Sequence, residues 1–472
     1  MPNTTHDIVI DNQLVELTPE LLERYDVPGP RYTSYPTAPM WNNDFGPDDA
    51  MRVIEASNDP VDGAVRPLSL YTHLPFCEQL CLFCGCNVIV RTNHDHADAY
   101  LETLKKDVKA LGELIDRSRP VIQFHWGGGT PTYFTPGQLE ELFTLVKANF
   151  HFADDAEIGV EIDPRVTTSE HLQVLHQLGF NRISMGVQDF DPKVQETVKR
   201  IQPLEMVQAM VSQCRELGFE SINIDLMYGL PLQTATNFAA TVDKVIGLGP
   251  DRIALFNYGH VPWIKKYQQV LTPMLPGRDE KIDIFRQAMS QLTAAGYTYV
   301  GMDHFARPED ELCVAQRNGT LHRNFQGYTT KAGADLIGFG VTSIGEVNRA
   351  YLQNWRDIDH WREAVDGGVL PIMRGFELSD DDVIRRAAIS AILCQTIIDK
   401  AQFTNAYGID FDAYFADAIA KLQPLAADGL VEITSAAVRV TPLGRVFLRN
   451  IAMAFDAYLK PESDRPMFSR TV

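Results

Sequence analysis

Four of the chain's seven cysteines, Cys77, Cys81, Cys84 and Cys86, fall within ten positions in the stretch SLYTHLPFCEQLCLFCGC. The other three, Cys214, Cys313 and Cys394, are scattered and are expected to be buried apolar residues. Clustered thiols are soft metal ligands, above all where the surroundings keep them reduced. Structural zinc sites draw on two short knuckles across a longer loop, so that four ligands can close a tetrahedron. Here the intervals are three, two and one residues within a single loop. Such a loop wraps an iron–sulfur cube, whose corners accept successive thiolates, more easily than a single ion. Cys86 stands so close to Cys84 that bringing both to iron would strain the loop. The expected ligands are Cys77, Cys81 and Cys84, which leaves one iron of a [4Fe–4S] cluster without a thiolate.

Polar residues recur at the ends of the apolar runs that follow. After the second run comes HWGGGTPT, where Gly127, Gly128 and Gly129 let backbone amides approach a ligand with no Cβ in the way. It matches neither a dinucleotide fingerprint nor a phosphate loop. The third run ends in GVEIDP with Glu161 and Asp163, the fourth in MGVQDF with Gln188, and the fifth in INIDLMYGLP with Asp225. One polar strand end is commonplace. Carboxylates and an amide at three consecutive ends suit the ribose hydroxyls and amino group of an adenosyl cofactor. In NHDHAD, His94 and His96 sit where a helix starts, and Asn93 or Asp95 reads as its cap. His125, His260 and His304 are placed to face the site without a firm role.

These residues need a scaffold that brings successive strand ends together. From about residue 66, runs rich in β-branched and aromatic residues alternate with helical patterns: LSLYTHL, VIQFHW, AEIGVEID, RISMGVQ, SINIDLMYG and RIALFNYGH. Six β-α units in series predict a parallel sheet with helices outside, and in a barrel the loops after the strands meet at one face. YTYVGMDHFA and ADLIGFGVTSI are expected to extend the sheet. The fold class is α/β, an incomplete (β/α)6 TIM-like barrel over residues 66–350. Before it, residues 1–65 hold a helix and a Pro-rich extended piece in which Arg31, Tyr32 and Tyr35 are too sticky for a spacer. After it, residues 351–472 read as a mostly helical, winged-helix-like unit suited to packing or to a lid.

Composition narrows the function. With 472 residues the chain can bury a large core, and its net charge of −20 opposes general nucleic-acid binding. No apolar run of about 20 residues reads as a membrane span. MPNTTHDIVIDNQLVELTPE lacks the basic start and apolar core of a secretory signal, so a cytoplasmic location is expected.

The cysteine loop resembles that of the radical S-adenosylmethionine enzymes, in which the amino and carboxylate groups of S-adenosylmethionine occupy the thiolate-free iron. One electron then breaks the sulfonium C–S bond to give methionine and a 5′-deoxyadenosyl radical. PRYTSYPTA, HWGGGTPTY, SMGVQDF, NIDLMYGLP, GMDHFARP, HRNFQGYTT and the Cys84-Gly85-Cys86 ending are similar to one family within it, the oxygen-independent coproporphyrinogen III oxidases. The resemblance covers nearly the whole chain. It implies oxidative decarboxylation of two propionates of coproporphyrinogen III to vinyl groups, giving protoporphyrinogen IX in haem biosynthesis. It further implies that Tyr71 and Phe83 flank the cofactor, and that Gly128, Gly129, Thr130, Glu161, Gln188, Arg200, Asp225, Gly259 and Ile344 line sites for two S-adenosylmethionine molecules. By the same resemblance Tyr71, Glu161, Phe325 and Gln326 would be catalytic, the last two as part of the active-site wall. Two departures are mild: Gly259 stands where the family often has Ala, and Lys199 precedes Arg200 in place of Asn.

The substrate implied carries four propionates, so a chain this acidic needs local cations, and Arg31, Arg200, Arg307 and Arg323 are the expected ones. An electron donor such as flavodoxin or ferredoxin is implied, and a monomer is expected. Two rivals share the superfamily. Haem chaperones are shorter at the amino terminus and usually carry an aromatic residue at the position of Cys86; haem-degrading methyltransferases are disfavoured by NFQGYTT.

Overall fold

The computed structural model describes residues 7–11, 13–61, 63–459 and 468–471. The first six residues, read above for a signal, and residues 460–467 and 472 of the expected carboxy-terminal unit lie outside them.

The centre is built from β1 (Leu68–Leu74), β2 (Pro120–Gly128), β3 (His151–Ile162), β4 (Arg182–Gln188), β5 (Ser221–Tyr228) and β6 (Arg252–Asn257). All run parallel, each paired with the next. Helices α1 (Asp95–Leu114), α2 (Pro136–Asn149), α3 (Ser169–Leu178), α4 (Leu204–Leu217), α5 (Ala235–Leu248) and α6 (Arg278–Ala294) follow β1 to β6 and supply the crossovers. Their ends are written into the sequence. Thr135, Thr168 and Thr234 each accept an amide of the first turn while the residue three on bonds back, which satisfies donors the helix leaves free. Gly179 and Gly218 close α3 and α4 in the left-handed conformation that other residues resist.

The two further runs extend the sheet at different places. YTYVGMDHFA folds into β7 (Thr298–Gly301) and β8 (His304–Ala306), a hairpin that pairs antiparallel to β6. ADLIGFGVTSI supplies β9 (Asp335–Phe339), which lies parallel to β1 on its other side. The sheet then continues antiparallel through β10 (Ile344–Val347), β11 (Ala350–Asn354) and β12 (Ile372–Glu377), past the residue 350 boundary read from the sequence. Twelve strands run from β7 at one edge to β12 at the other, and the edges do not meet, so the barrel is incomplete.

Strand alternation decides what the barrel encloses. In β4, Ile183, Met185 and Val187 are buried while Arg182, Ser184, Gly186 and Gln188 are half-buried; β5 alternates in the same way. Parallel strands covered on both faces usually read as continuous apolar runs. Here the apolar set packs under the helices, and the other set lines a polar interior. The outer layer is aromatic: Phe124 and Trp126 of β2 meet Phe143 of α2 and Phe180, with the Trp126 and Phe180 ring centroids 4.7 Å apart. Cys214, Cys313 and Cys394 are buried in apolar surroundings.

The Pro-rich segment packs between sheet and carboxy-terminal unit. Tyr35 accepts the Ala457 amide at 3.0 Å, its own amide donates to the Tyr351 hydroxyl at 3.2 Å, and the Tyr32 hydroxyl donates to Asp456 at 2.9 Å. Beyond β12 the chain forms helices and a small three-stranded sheet of residues 397–399, 431–433 and 437–440.

One buried charge ties the start of the barrel to its first added strand. Arg119 is fully buried, pairs with Asp335 at the start of β9, and donates to the Ser57 hydroxyl at 2.7 Å and the Arg66 carbonyl at 2.8 Å. Arg66 is the only other cation on Asp335 among the described residues, at 3.4 Å. Removing one partner of a buried pair leaves the other uncompensated. Arg119→Met is therefore expected to cost about 3–5 kcal/mol of unfolding free energy in urea titrations.

Candidate active site

The cysteine loop leaves β1 through the two-residue strand Phe76–Cys77 and is fixed from several sides. The Leu82 amide donates to the Val198 carbonyl at 2.9 Å; Gln268 donates to the Phe83 carbonyl at 2.9 Å, Tyr267 to that of Cys84 at 2.5 Å, and Lys265 to that of Cys86 at 2.7 Å. Cys81 and Phe83 sit in a small core with Val194, Val198, Leu230, Tyr258 and Leu271, contributed by the segments after β4, β5 and β6. All seven cysteines are free.

Cys77, Cys81 and Cys84 open on one cavity of about 340 Å³ at the carboxyl ends of the strands. Phe83, Gly128, Gly129, Thr130, Glu161, Gln188, Arg200 and Asp225 also line it. A second cavity of about 340 Å³ adjoins it, lined by Tyr71, Phe325, Gln326 and Ile344, and the two share Cys86, Gly128 and Glu161. Gly259, expected among these residues, lies just beyond β6 and lines neither cavity. The chain turns away there, because the Tyr258 amide is still bonded to the Tyr228 carbonyl and His260 is held by Tyr258 and Thr272.

The three glycines are needed because the site is crowded. A Cβ at Gly127 would lie 3.1 Å from the Glu161 carboxyl carbon, one at Gly128 2.8 Å from the His73 ring, and one at Gly129 2.5 Å from the Pro75 carbonyl oxygen. Gly128 also has a φ of +118°, a conformation that other residues rarely adopt. The Gly128 amide, 3.3 Å from Glu161, donates to its carboxylate, and His125 lies 3.7 Å from the other oxygen. Burial alone would raise the Glu161 carboxyl; His125 and this amide hold it below its usual value, although its side chain keeps 49% exposure to the cavity. His73 is pushed down to about 4 by burial and stays neutral. Its Nε2 donates to the Asn87 carbonyl at 3.0 Å, which leaves Nδ1 to accept from the Tyr71 hydroxyl at 3.1 Å.

Asp163 is a buried charge beside the thiols. Burial opposes its ionisation, but Arg200 at 3.1 Å and Arg165 at 2.6 Å bring it down to about 2. The same guanidinium groups reach the cluster loop, with Arg165 Nη2 3.3 Å and Arg200 Nη1 3.6 Å from Cys81 Sγ. Thr130 Oγ1 lies 3.3 Å from Cys77 Sγ, and burial pushes that thiol up to about 11. A hydrogen bond between Cys84 and Cys86 pulls the first thiol down and pushes the second up. Across the cavity, burial and the nearby Glu161 charge raise Asp225 to about 7, with Asn223 donating to it at 2.7 Å. Gln188 sits at a bulge in the β4–β5 pairing with φ +69°, and its Oε1 is buried without a partner.

Sequence reasoning missed Arg165, although a cation two residues beyond Asp163 was the available signal. It missed the residue 265–268 clamp, for which composition offered none. His94, not Asn93 or Asp95, is the cap residue of α1 and makes no side-chain cap bond; Asn93 just before it accepts the Asp95 amide at 2.9 Å, and His94 stacks on Tyr133. The four arginines expected to meet propionates are dispersed. Arg200 lines the first cavity, and Arg31 is paired with Asp303. Arg323 lines a separate cavity beside Tyr32 and Arg386. Arg307 stacks on Tyr297 at the opposite end of the strands, because β8 runs antiparallel to β6 and carries the residue after it downward.

A strand-end cavity ringed by three thiols defines a radical S-adenosylmethionine enzyme, and the family model for the Radical SAM superfamily matches residues 71–245. The model for the HemN C-terminal domain matches residues 378–447. The chain is 44% identical to the oxygen-independent coproporphyrinogen III oxidase of Synechocystis sp. over 97% of its length and 98% of that protein. It is 45% identical to the Salmonella typhimurium enzyme of the same name over 98% of its length and 100% of that protein. The solved coproporphyrinogen III oxidase (HemN) of Escherichia coli, titled a radical SAM enzyme, superposes with a TM-score of 0.89 at 44% identity, covering 95% of this chain and 100% of that one. The chain belongs to the oxygen-independent coproporphyrinogen III oxidase family.

The residues present fit the cofactors of that family. Free thiols converge on one cavity, guanidinium N–H groups are aimed at Cys81 Sγ, and Gln188, whose Oε1 is buried without a partner, belongs to the same lining. Hydrogen bonds to cluster ligands stabilise the more negative, reduced state. Arg165→Gln is therefore expected to lower the reduction potential of the reconstituted cluster, read by EPR-monitored redox titration. For Asp225, a raised native pKa means the folded state holds a proton that the unfolded state has released above about pH 4. That contribution is full below pH 4 and is lost as pH rises through about 7. Without added ligand, Asp225→Asn should gain in stability over the wild type from pH 5 to pH 8, measured by urea unfolding at each pH.

Proposed function

We propose that this protein converts coproporphyrinogen III to protoporphyrinogen IX by oxygen-independent oxidative decarboxylation of two propionates to vinyl groups. The observation that carries the reading is the adjacency of the two cavities at Glu161 and Gly128, one ringed by Cys77, Cys81 and Cys84 and the other open to a substrate side chain. Cys77, Cys81 and Cys84 would hold a [4Fe–4S] cluster which, with S-adenosylmethionine, supplies one-electron cleavage to a hydrogen-abstracting 5′-deoxyadenosyl radical.

The chain's own residues do the positioning. Arg200 offers its charge to a carboxylate and ionised Glu161 accepts from an amino group or hydroxyl, while the Gly128 and Gly129 amides are taken by Glu161 and the Leu74 carbonyl and leave their own carbonyls to a ligand. Protonated Asp225 would donate to an acceptor, and ionised it would accept a ribose hydroxyl. Gln188 has an unused acceptor for the same ligand. Phe83 and its small core keep water from the cysteine side. In the second cavity the Tyr71 ring lies 6.2 Å from that of His125 at an interplanar angle of 10°, and Gln326 Nε2 is buried without a partner. These groups, with Phe325 and Ile344, would receive a second S-adenosylmethionine or the reacting propionate. A monomer in the cytoplasm, reduced by flavodoxin or ferredoxin, completes the reading; among the described residues no helix is long and apolar enough to cross a membrane.

The test is an anaerobic assay of reconstituted protein with coproporphyrinogen III, S-adenosylmethionine and reductant. Vinyl product with 5′-deoxyadenosine is expected, and Cys81→Ala should lose both cluster absorbance and turnover. Haem binding with no turnover by the wild type would refute the reading.

A further inference from the structure

The cysteine loop is braced by a stretch of unusual charge for so acidic a chain. Residues 252–278 contain no Asp or Glu, whereas the chain as a whole has a net charge of −20. Within this stretch Trp263, Ile264 and Val270 are 53%, 63% and 58% exposed, and Lys266 is exposed beside them. The segment after β4 adds exposed Lys193, Lys199 and Ile201, with one exposed carboxylate, Glu196, between the lysines. The two segments converge on the same object, because Val194, Val198 and Leu271 pack in one small core with Cys81 and Phe83. Single exposed apolar residues are ordinary; several of them, edged by lysines and lying over a redox loop, form a docking surface.

The inner side of this surface touches the ligand loop itself. Tyr267 bonds the Cys84 carbonyl and Lys265 that of Cys86, two to four residues from Trp263 in sequence. Trp263 and Ile264 thus stand on the same short segment that grips the ligand loop. We propose that the surface formed by Trp263, Ile264, Lys266, Val270, Lys193 and Lys199 docks a small acidic one-electron carrier protein that reduces the cluster. This rests on the oxidase reading, in which each S-adenosylmethionine cleaved consumes one electron. The carrier gives up that electron and is oxidised by one unit as the cluster is reduced by one. The lysines steer an acidic partner to a chain that would otherwise repel it, and Trp263 and Ile264 supply the apolar contact that desolvates on docking.

The test uses the reconstituted holoenzyme with reduced flavodoxin as the carrier, and dithionite as a reductant that needs no docking. Trp263→Ser combined with Lys266→Glu is expected to weaken flavodoxin binding about tenfold in titration calorimetry. Flavodoxin-driven turnover should slow by a similar factor while dithionite-driven turnover is unchanged. Lys266→Gln alone should flatten the salt dependence of the flavodoxin-driven rate. Unaltered flavodoxin affinity in the double variant overturns the proposal. So does wild-type binding to anionic phospholipid vesicles that the double variant loses while its flavodoxin affinity is kept. Absence of dithionite-driven turnover in the wild type refutes the oxidase reading instead, and calorimetry then judges the surface on its own.

Discussion

Asp163, buried between Arg165 and Arg200, is the charge from which the cysteine side of the site is suspended. A carboxylate in that setting survives only because two guanidinium groups compensate it, and each of them has N–H groups left over for Cys81. The pairing therefore joins three separate parts of the chain: the turn after β3, the segment after β4 and the ligand loop. Arg200 also donates to the Gly186 carbonyl at 2.9 Å, which locks it to the end of β4. A ten-residue loop has too few internal hydrogen bonds to hold three thiols in place. Its geometry is borrowed from the barrel.

The polar interior has the same origin and a cost. Alternation along β4 and β5 sends every second residue into the lumen, where Glu161 and Asp225 are close enough to raise the latter's pKa. Two carboxylates in one enclosed space repel each other, and Asp225 answers by holding its proton to a higher pH. A ligand that presents cationic and hydroxyl groups relieves the repulsion. Gly128 and Gly129 let the turn close on the protein itself, because a methyl group there would collide with His73 or the Pro75 carbonyl, and one at Gly127 would press on Glu161.

What could be read from the sequence was what depends on local pattern. Six strand-and-helix units, the thiol spacing and the strand-end carboxylates each leave a signature within about ten residues, and the structure puts them on one face. The added strands were harder. ADLIGFGVTSI reads as one more strand of the series, yet β9 pairs with β1 rather than with the β7–β8 edge that precedes it in the chain, a fact of long-range pairing. Arg307 misled for a related reason: GMDHFARP gives no sign that β8 runs against its neighbour, and direction decides at which end of the barrel a residue emerges. Gly259 lies one residue beyond the last strand-like pair, where the chain has already turned outward. The clamp of Lys265, Tyr267 and Gln268 leaves no pattern, since its donors meet carbonyls nearly 200 residues away.

The two cavities are walled by different parts of the chain, and this separates their duties. The cysteine side is built from barrel loops alone. The far wall of the second cavity uses Phe325 from the hairpin of residues 322–329, whose Asn324 donates to Gln123 inside the barrel at 3.2 Å. Behind it Trp41 of the amino-terminal segment stacks on Tyr351 of β11 with centroids 5.1 Å apart. Tyr35 in turn bonds both Tyr351 and Ala457, so the amino-terminal segment and the carboxy-terminal unit are fastened through one tyrosine. Arg31 of the same segment lies over Phe256, which lines the cysteine-side cavity, so the amino-terminal segment touches both halves of the site. The far wall of the second cavity therefore rests on pairings between the two ends of the chain, whereas the thiols rest on the barrel's own charges.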